Sequence, residues 1–210
     1  MITEFLSYCS FTYDGTQLSP LFIRKTTGVF SDAVVAWVGP CDVLPSAMVD
    51  LEDRLQKQEI RSRKMLHLVG ELFDLDLYAT IALTRLLAAL LQEHLQEFCV
   101  KTHRDGDDVY VVESGRFKKL TVSIATATPV STLFHFGINV IGKGAPVDAI
   151  GLEEIGVTDV ERFARRLLEA LKQEFLGIKI AARKVLSHDL VSRNPLPSGG
   201  ERYDYNKRAT

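Results

Sequence analysis

Two long segments of the chain carry apolar residues at helical spacing. In Leu77–Phe98 these residues recur at intervals of three and four, and Asp74 or Asp76 stands where a helix N-cap is expected. A second segment, from about Thr158 to Phe175, has the same periodicity and opens with Thr158-x-x-Glu161, the pattern of a capping box. We therefore predict two amphipathic helices over these segments.

Shorter apolar runs predict β-strands. Ala33–Val38 is continuously apolar, as in a strand buried on both faces, and Gly39-Pro40 is expected to end it. Met65–Phe73 fits either a helix or a strand, and we interpret it as a strand. Residues 1–47 otherwise predict short strands joined by turns, whereas the charged stretch Asp50–Lys64 indicates a solvated connection or a short helix.

An antiparallel meander is predicted between the two helices. Its strands cover Val109–Val112, Lys119–Thr128 and Leu133–Ile141, and turns are expected at Glu113-Ser114-Gly115 and at residues 128–131. Together with the helices, these strands predict an α+β fold in which a mixed, largely antiparallel sheet is flanked by helices.

Alternation along the meander assigns its residues to two faces. If the apolar, even-numbered positions of the last two strands lie opposite each other, the residue numbers of every opposed pair add up to an even number. The loop that joins the two strands then has an odd number of residues. The even-numbered set, which is expected to pack against the helices, is Leu120, Val122, Ile124, Phe136 and Ile138. The opposite face then gathers five polar residues, Lys119, Thr121, Ser123, His135 and Asn139.

This polar face has two interpretations. A half-exposed sheet normally has a polar outer face, which requires no function. However, Leu133 and Ile141 lie on the same side and indicate that it is partly covered, so its polar groups need partners. Gly137 and Ala125 also leave room for a ligand to approach the backbone. The polar face is therefore a candidate site.

Composition argues against several classes of protein. The 210 residues include 25 basic and 27 acidic side chains, so no overall charge attracts the chain to nucleic acid or to acidic lipid. Arg85 interrupts the best apolar stretch, which predicts no membrane span, and the N-terminus lacks the pattern of a signal peptide. Three cysteines at irregular spacing predict reduced thiols, and we expect a cytoplasmic protein.

Several motifs carry a family resemblance. Arg104–Val111, Gly115–Leu120 and Phe136–Val140 follow the long helix in the order found in octanoyltransferases and in lipoate and biotin ligases, and the chain resembles that superfamily. A narrower match lies in six further segments: Tyr13–Gly15, Met48–Asp53, Glu71–Phe73, Ser123–Thr126, Pro129–Ser131 and Val147–Glu154. Through these segments the chain is identified as a member of the family catalogued as domain of unknown function 366.

The resemblance implies a biotin/lipoyl ligase-like fold with a site for an acyl or acyl-adenylate group. Lys119 matches the lysine that begins the active-site strand of the superfamily, and Asn139 matches the asparagine of its Asn-Val strand. We predict Lys119 as the catalytic residue. The predicted ligand-binding residues are Asn139, Ser123, His135, Arg24 and Asp148. The expected organisation is a single ligase-like domain over residues 1–186 and a C-terminal tail over residues 187–210.

Other features of the superfamily are missing from the sequence. Octanoyltransferases carry the acyl chain on a cysteine in Pro-Cys-Gly-Ile, but the matching stretch here is Leu152-Glu153-Glu154-Ile155-Gly156, which excludes a thioester at that position. Arg24–Gly28 has one glycine where the ligases have a glycine-rich phosphate loop. No ligand set has the spacing of a metal site, so no metal is predicted, and ATP stays open as a cofactor.

Two functions are consistent with this pattern. The first is binding or transfer of an acyl, acyl-adenylate or similar carboxylate ligand, by an acyltransferase or ATP-dependent ligase without a cysteine intermediate. The alternative is a catalytically inactive ligand-binding or assembly module on the same fold. Nucleic-acid binding through basic residues near the C-terminus is a weaker third hypothesis, because Asp189, Glu201 and Asp204 interleave with them.

Overall fold

A computed structural model describes residues 1–56 and 59–185 of the chain. Its strands are β1 (Ile2–Phe5), β2 (Ala33–Val43), β3 (Ile60–Leu72), β4 (Thr102–Asp105), β5 (Asp108–Glu113), β6 (Arg116–Lys119), β7 (Thr121–Ala127) and β8 (Thr132–Ile141). Its α-helices are α1 (Phe22–Thr27), α2 (Leu51–Leu55), α3 (Leu77–Gln96) and α4 (Val160–Arg183). Short 3-10 turns occupy Pro45–Ala47 and Glu153–Ile155. The predicted tail lies outside the described residues.

Two sheets organise the described chain. The larger has the strand order β1-β2-β3-β8-β7, and only the β1–β2 pair in it is parallel. The smaller is the antiparallel meander β4-β5-β6. The predicted α+β fold with a mixed, largely antiparallel sheet is therefore confirmed. Both sheets belong to the unit Met1–Phe175, while a second unit begins at Leu176, within α4.

The five-stranded sheet separates two hydrophobic clusters. On its helix side, α3 and α4 pack against alternate residues of β2, β3 and β8, such as Ala36, Leu68 and Phe136. On the other side, which we call the loop side, the residues facing out from the same strands pack under the N-terminal segment, for example Trp37 against Phe11. Both faces are covered, so the long apolar runs of β2 and β8 have a structural reason.

The two predicted helices are present, with one change at a boundary. Asp76 caps α3, because its Oδ1 accepts the N–H of Ala79 at 2.7 Å. For α4, Asp159 Oδ1 accepts the N–H of Arg162 at 3.0 Å, and the first helical residue is Val160. The capping box predicted at Thr158 is therefore replaced by an aspartate cap one residue later.

The strand predicted over Met65–Phe73 is present as far as Leu72, but β3 already begins at Ile60. The last part of the charged stretch Asp50–Lys64 is therefore strand, not the predicted connection or short helix, which fits only α2. Nearer the N-terminus, two further predictions fail. β2 does not end at Gly39-Pro40 but continues to Val43, with an irregular register between Gly39 and Cys41. Proline is tolerated there because the irregular register removes the need for an N–H donor at Pro40, whose carbonyl accepts the N–H of Tyr13 at 2.9 Å. The segment after Ser19, expected to be extended, instead forms the short helix α1.

The register predicted for the last hairpin is wrong. Thr121 lies opposite Ile138 and Ser123 lies opposite Phe136, so the residue numbers of opposed pairs add up to an odd number. The loop between β7 and β8 accordingly has four residues. The predicted strand 119–128 breaks at Leu120, where the chain passes from the small sheet to the large one. Thr121 can then face the helix side, because its hydroxyl oxygen accepts the N–H of Val109 at 2.8 Å.

This shift of one residue exchanges the faces of β7. Val122 and Ile124 lie opposite Gly137 and His135 on the loop side, not against the helices as predicted. Leu120, Phe136 and Ile138 are buried on the helix side, as expected. The single polar patch predicted from alternation is therefore divided between the two sides of the sheet.

Candidate ligand-binding cleft

A cleft opens on the loop side, and its narrow inner end is a chamber of about 60 Å³. Val122, Ile124 and His135 line this chamber from the sheet, and further lining comes from the loop at Tyr13 and from the segment between β2 and α2. Most of the lining is apolar: Tyr13, Leu18, Val43, Ala47, Met48, Val49, Ile60, Val122 and Ile124. Such a chamber suits an apolar group of a small ligand.

Gly137, which lies opposite Val122, is tightly packed. A Cβ atom at Gly137 would overlap Met65 Sδ and lie 2.9 Å from Val122 Cγ2. The missing side chain thus lets two larger neighbours meet over the strand, where the sequence suggested open room for a ligand.

The outer end of the cleft is a larger and more polar chamber of about 290 Å³. Its lining shares Asp50, Asp53, Ile60, Val122 and Ser123 with the inner chamber, so the two chambers adjoin each other. Its charged lining residues are Asp50, Asp53, Glu59, Arg61, Asp107, Asp108 and Lys119. Five carboxylates thus face two cations, and the outer chamber carries an excess of negative charge.

Lys119 is fixed in this chamber at both its backbone and its side chain. Its N–H donates to Asp148 O at 2.9 Å, and its O accepts from Ile150 N–H at 3.1 Å. Its Nζ pairs with Asp108 Oδ2 at 2.7 Å, and both side chains are 29% exposed. The Nδ2 of Asn139 lies 3.4 Å from Lys119 O, which joins the two residues that match the superfamily.

Four rings stack behind the inner chamber. The Tyr13 and His135 rings are nearly parallel, with centroids 3.7 Å apart, and His67 lies 5.3 Å from each of them. Trp37 continues the stack at 5.0 Å from His67. All four side chains are buried, His67 and Trp37 completely. Such face-to-face contacts rigidify the wall that His135 presents to the chamber.

Hydrogen bonds fix the tautomers of the two histidines. His67 Nε2 lies 3.2 Å from the carbonyl oxygens of Gly39 and Pro40, which can only accept, so this nitrogen carries the proton. In a neutral ring, His67 Nδ1 is then an acceptor, and His135 Nε2 donates to it at 3.0 Å. The lone pair of His135 is consequently on Nδ1.

Burial keeps both rings neutral. It lowers the pKa of His67 from 6.5 to about 4, against the opposing effect of the two carbonyl acceptors. Burial also holds the pKa of His135 well below its usual value, and the neighbouring His67 lowers it further. In the outer chamber, burial and the nearby Asp50 carboxylate raise the pKa of Asp53, although Lys119 opposes this shift.

The structure brings four of the six predicted site residues to the cleft. Lys119, Asn139 and Ser123 line the outer chamber, and His135 lines the inner one. The Ser123 hydroxyl oxygen is buried without a hydrogen-bond partner among the described residues, and its side chain belongs to the helix-side register. Ser123 therefore lines the cleft with its backbone, which belongs to an edge strand, and not with the hydroxyl group that was expected.

The other two predicted residues lie elsewhere. The Arg24 guanidinium lies over the Phe30 ring at 4.0 Å, and Arg24 lines neither chamber. Asp148 contributes its carbonyl oxygen to Lys119 N–H but does not line the cleft.

Sequence reasoning missed Tyr13 and Asp108 as parts of the site. Both were visible only as members of motifs, Tyr13–Gly15 and Arg104–Val111, because their partners lie far away along the chain.

Comparisons with known proteins agree with this fold. A family model described as "Domain of unknown function (DUF366)" matches residues 3–186. The chain belongs to the DUF366 family. An uncharacterized protein of Methanocaldococcus jannaschii is 34% identical over 180 residues, which cover 83% of this chain and 80% of that one. A solved "Protein of Unknown Function" from Pyrococcus horikoshi superposes with a TM-score of 0.80 at 35% identity, over 88% of this chain and 97% of the other.

The DUF366 chain also shares its fold with a biotin protein ligase. The apo structure of this ligase from Aquifex aeolicus matches with a TM-score of 0.51 at 18% identity, covering 83% of this chain and 71% of the ligase. At that identity the likeness concerns the fold. Over residues 1–56 and 59–185, no three His, Cys, Asp or Glu side chains converge as metal ligands, and no helix is long and apolar enough to cross a membrane.

Proposed function

We propose that the protein binds a small amphipathic acyl or carboxylate ligand in the loop-side cleft. The observation that carries this proposal is that a mostly apolar inner chamber adjoins a polar outer chamber lined by Lys119 and Asn139. The apolar part of the ligand would occupy the inner chamber. Its acyl or carboxyl group would then reach Lys119, as the resemblance to acyl-handling enzymes implies.

The charges of the outer chamber restrict the ligand further. Lys119 is already neutralised by Asp108, and a ligand carboxylate must take over this partner to bind Lys119. Four other carboxylates line the chamber and repel additional negative charge. A ligand with a neutral acyl group or one carboxylate therefore fits better than a polyphosphate. Free ATP or a coenzyme A ester would need a cation to screen its phosphates.

A binding module without catalysis is favoured by a second observation. The stretch that replaces the octanoyltransferase cysteine has a structural task, because the Glu154 carboxylate accepts the N–H groups of Gly142 and Gly151. Leu152 in the same stretch is fully buried. These contacts tie the end of β8 to the following loop and leave no nucleophile there. Any acyl transfer would have to proceed without an acyl intermediate at this stretch.

Ligand screening with two matched variants tests the proposal. Octanoate, lipoate, biotin, ATP and coenzyme A esters are added to the full-length protein, and the melting temperature and calorimetric affinity are measured. A ligand at 100 times its Kd stabilises the fold by about 2.7 kcal/mol. We expect a monocarboxylate to bind wild type and Lys118→Met, and to lose at least tenfold in affinity with Lys119→Met. Lys118 is the control because it neighbours Lys119 but pairs with Glu113 outside the cleft.

Two outcomes would contradict the proposal. One is that no monocarboxylate or neutral acyl compound stabilises the protein at millimolar concentration. The other is that Lys119→Met and wild type bind the same ligand equally well, which would place the ligand away from Lys119.

A further inference from the structure

Two polar atoms at the inner chamber have no partner among the described residues: His135 Nδ1 and Tyr13 Oη. We infer that the inner chamber recognises, at the end of an otherwise apolar ligand chain, a group that both donates and accepts a hydrogen bond, such as a primary amide or a hydroxyl. This inference rests on the proposed function, since it specifies the buried end of the same ligand. It separates such ligands from those with a purely alkyl end.

The chemistry of each atom follows from the stack behind it. His67 donates through Nε2 to two carbonyl groups and therefore accepts from His135 Nε2 through Nδ1. His135 has used its only proton, so its Nδ1 can act only as an acceptor. Tyr13 keeps its hydroxyl proton, because burial raises the pKa of this phenol far above neutrality. Its Oη is therefore available as a donor.

Neither atom is fully enclosed by protein. In the described part of the chain, Ser123 Oγ is the one fully enclosed side-chain polar atom without a partner. His135 Nδ1 and Tyr13 Oη are likewise unpartnered but retain accessible surface, and both residues line the inner chamber. Overall, each of these side chains is only 3% exposed, so the accessible surface that remains is small.

A ligand must therefore satisfy these two atoms or leave them desolvated. An alkyl end would displace water from Nδ1 and Oη without replacing its hydrogen bonds, and a site built for hydrogen bonds discriminates strongly against such a ligand. An amide end could donate its N–H to His135 Nδ1 and accept from Tyr13 Oη. We expect a preference of about tenfold or more for the group that satisfies both atoms.

Two eight-carbon probes test this directly. Octanoate and the monoamide of octanedioic acid have the same chain length and the same carboxylate, and differ only at the far end. Calorimetry on the full-length protein should show the monoamide binding at least tenfold more tightly than octanoate. Tyr13→Phe should reduce this ratio, whereas Tyr8→Phe should not, because Tyr8 is 69% exposed and lines neither chamber.

His135→Gln is the second informative variant. Its amide nitrogen can still donate to His67, but its carbonyl oxygen lacks the fixed ring position of Nδ1, so the preference for the monoamide should fall again. If His135→Gln does not fold, ¹⁵N NMR of the histidines in wild type provides an independent test. Both His67 and His135 should be Nε2–H tautomers, and a proton on His135 Nδ1 would overturn the inference.

The results also separate this inference from the proposed function. Equal binding of octanoate and the monoamide would refute the inference and leave the cleft as a ligand site. An unchanged ratio in both Tyr13→Phe and His135→Gln would refute it as well. If neither probe binds at millimolar concentration, the proposed function fails, and the inference fails with it.

Discussion

The buried histidine pair makes the stability of the protein depend on pH in a predictable direction. His67 has a pKa of about 4 in the folded protein, and an unfolded histidine has a pKa of about 6.5. Between these values the unfolded chain binds a proton that the folded protein excludes. The free energy of unfolding is therefore highest above pH 6.5 and falls as the pH decreases towards 4.

The size of the effect follows from this shift. One such histidine lowers the free energy of unfolding by about 1.4 kcal/mol for each pH unit below 6.5. The loss between pH 7 and pH 5 is therefore about 2 kcal/mol. His135 acts in the same direction, because burial and His67 also keep its pKa well below the usual value. Proton uptake on unfolding at pH 5 should therefore exceed one proton per molecule. This loss is a large part of the total stability of a typical domain.

Urea unfolding at pH 7, 6 and 5 measures this loss. Trp37 is the single tryptophan of the chain and stacks on His67, so its fluorescence reports on this region. His103→Gln is the control, because it also removes a histidine, but an exposed one outside the buried pair. A free energy of unfolding that stays constant between pH 7 and pH 5 would show that the two rings are not held neutral, and the tautomer assignment would fail with it.

Three further predictions concern single side chains. Glu71→Ala should destabilise the fold by about 3 kcal/mol in urea unfolding, because the buried carboxylate accepts from Leu21 N–H and Ser131 Oγ; a loss below about 1 kcal/mol would contradict this. Gly70→Ala should lower the free energy of unfolding by about 2 kcal/mol or more, because a Cβ atom there would overlap the Phe134 ring. Gly177→Ala should raise it by about 0.5–1 kcal/mol, because Gly177 is helical and has open space around its Cα. Asp108→Asn should tighten monocarboxylate binding several-fold by releasing Lys119, and weaker binding would show that Asp108 itself holds the ligand.

Sequence patterns predicted those elements whose signal is local. The periodicity of α3 and the apolar run of β2 depend on residues close in the chain, and both elements were found. The pairing of β7 with β8 depends on where the chain leaves one sheet for another. The break at Leu120 has no local signal, because Lys119–Thr128 alternates like one continuous strand. The register error then exchanged the roles expected for Val122 and Ser123.

The candidate site shows the same division. Lys119 and Asn139 were predicted from the resemblance of their motifs. In the structure, Asn139 Nδ2 lies 3.4 Å from the carbonyl oxygen of Lys119. His135 was predicted on the polar face and does line the cleft, but its hydrogen bond to His67 joins residues 68 positions apart. The ion pair of Lys119 with Asp108 likewise needs two strands of the small sheet to fold together. Contacts of this kind require tertiary structure.

Methyl NMR tests the central claim, that the loop-side cleft is the ligand site, most directly. Ile, Leu, Val and Met methyl groups of the full-length protein are labelled, and an eight-carbon monocarboxylate is titrated in. The cleft is expected to respond at Met48, Ile60, Val122 and Ile124, while Leu87 and Leu167 on the helix side should keep their positions. Shifts confined to the helix side, or no shifts at saturating ligand, would contradict the account.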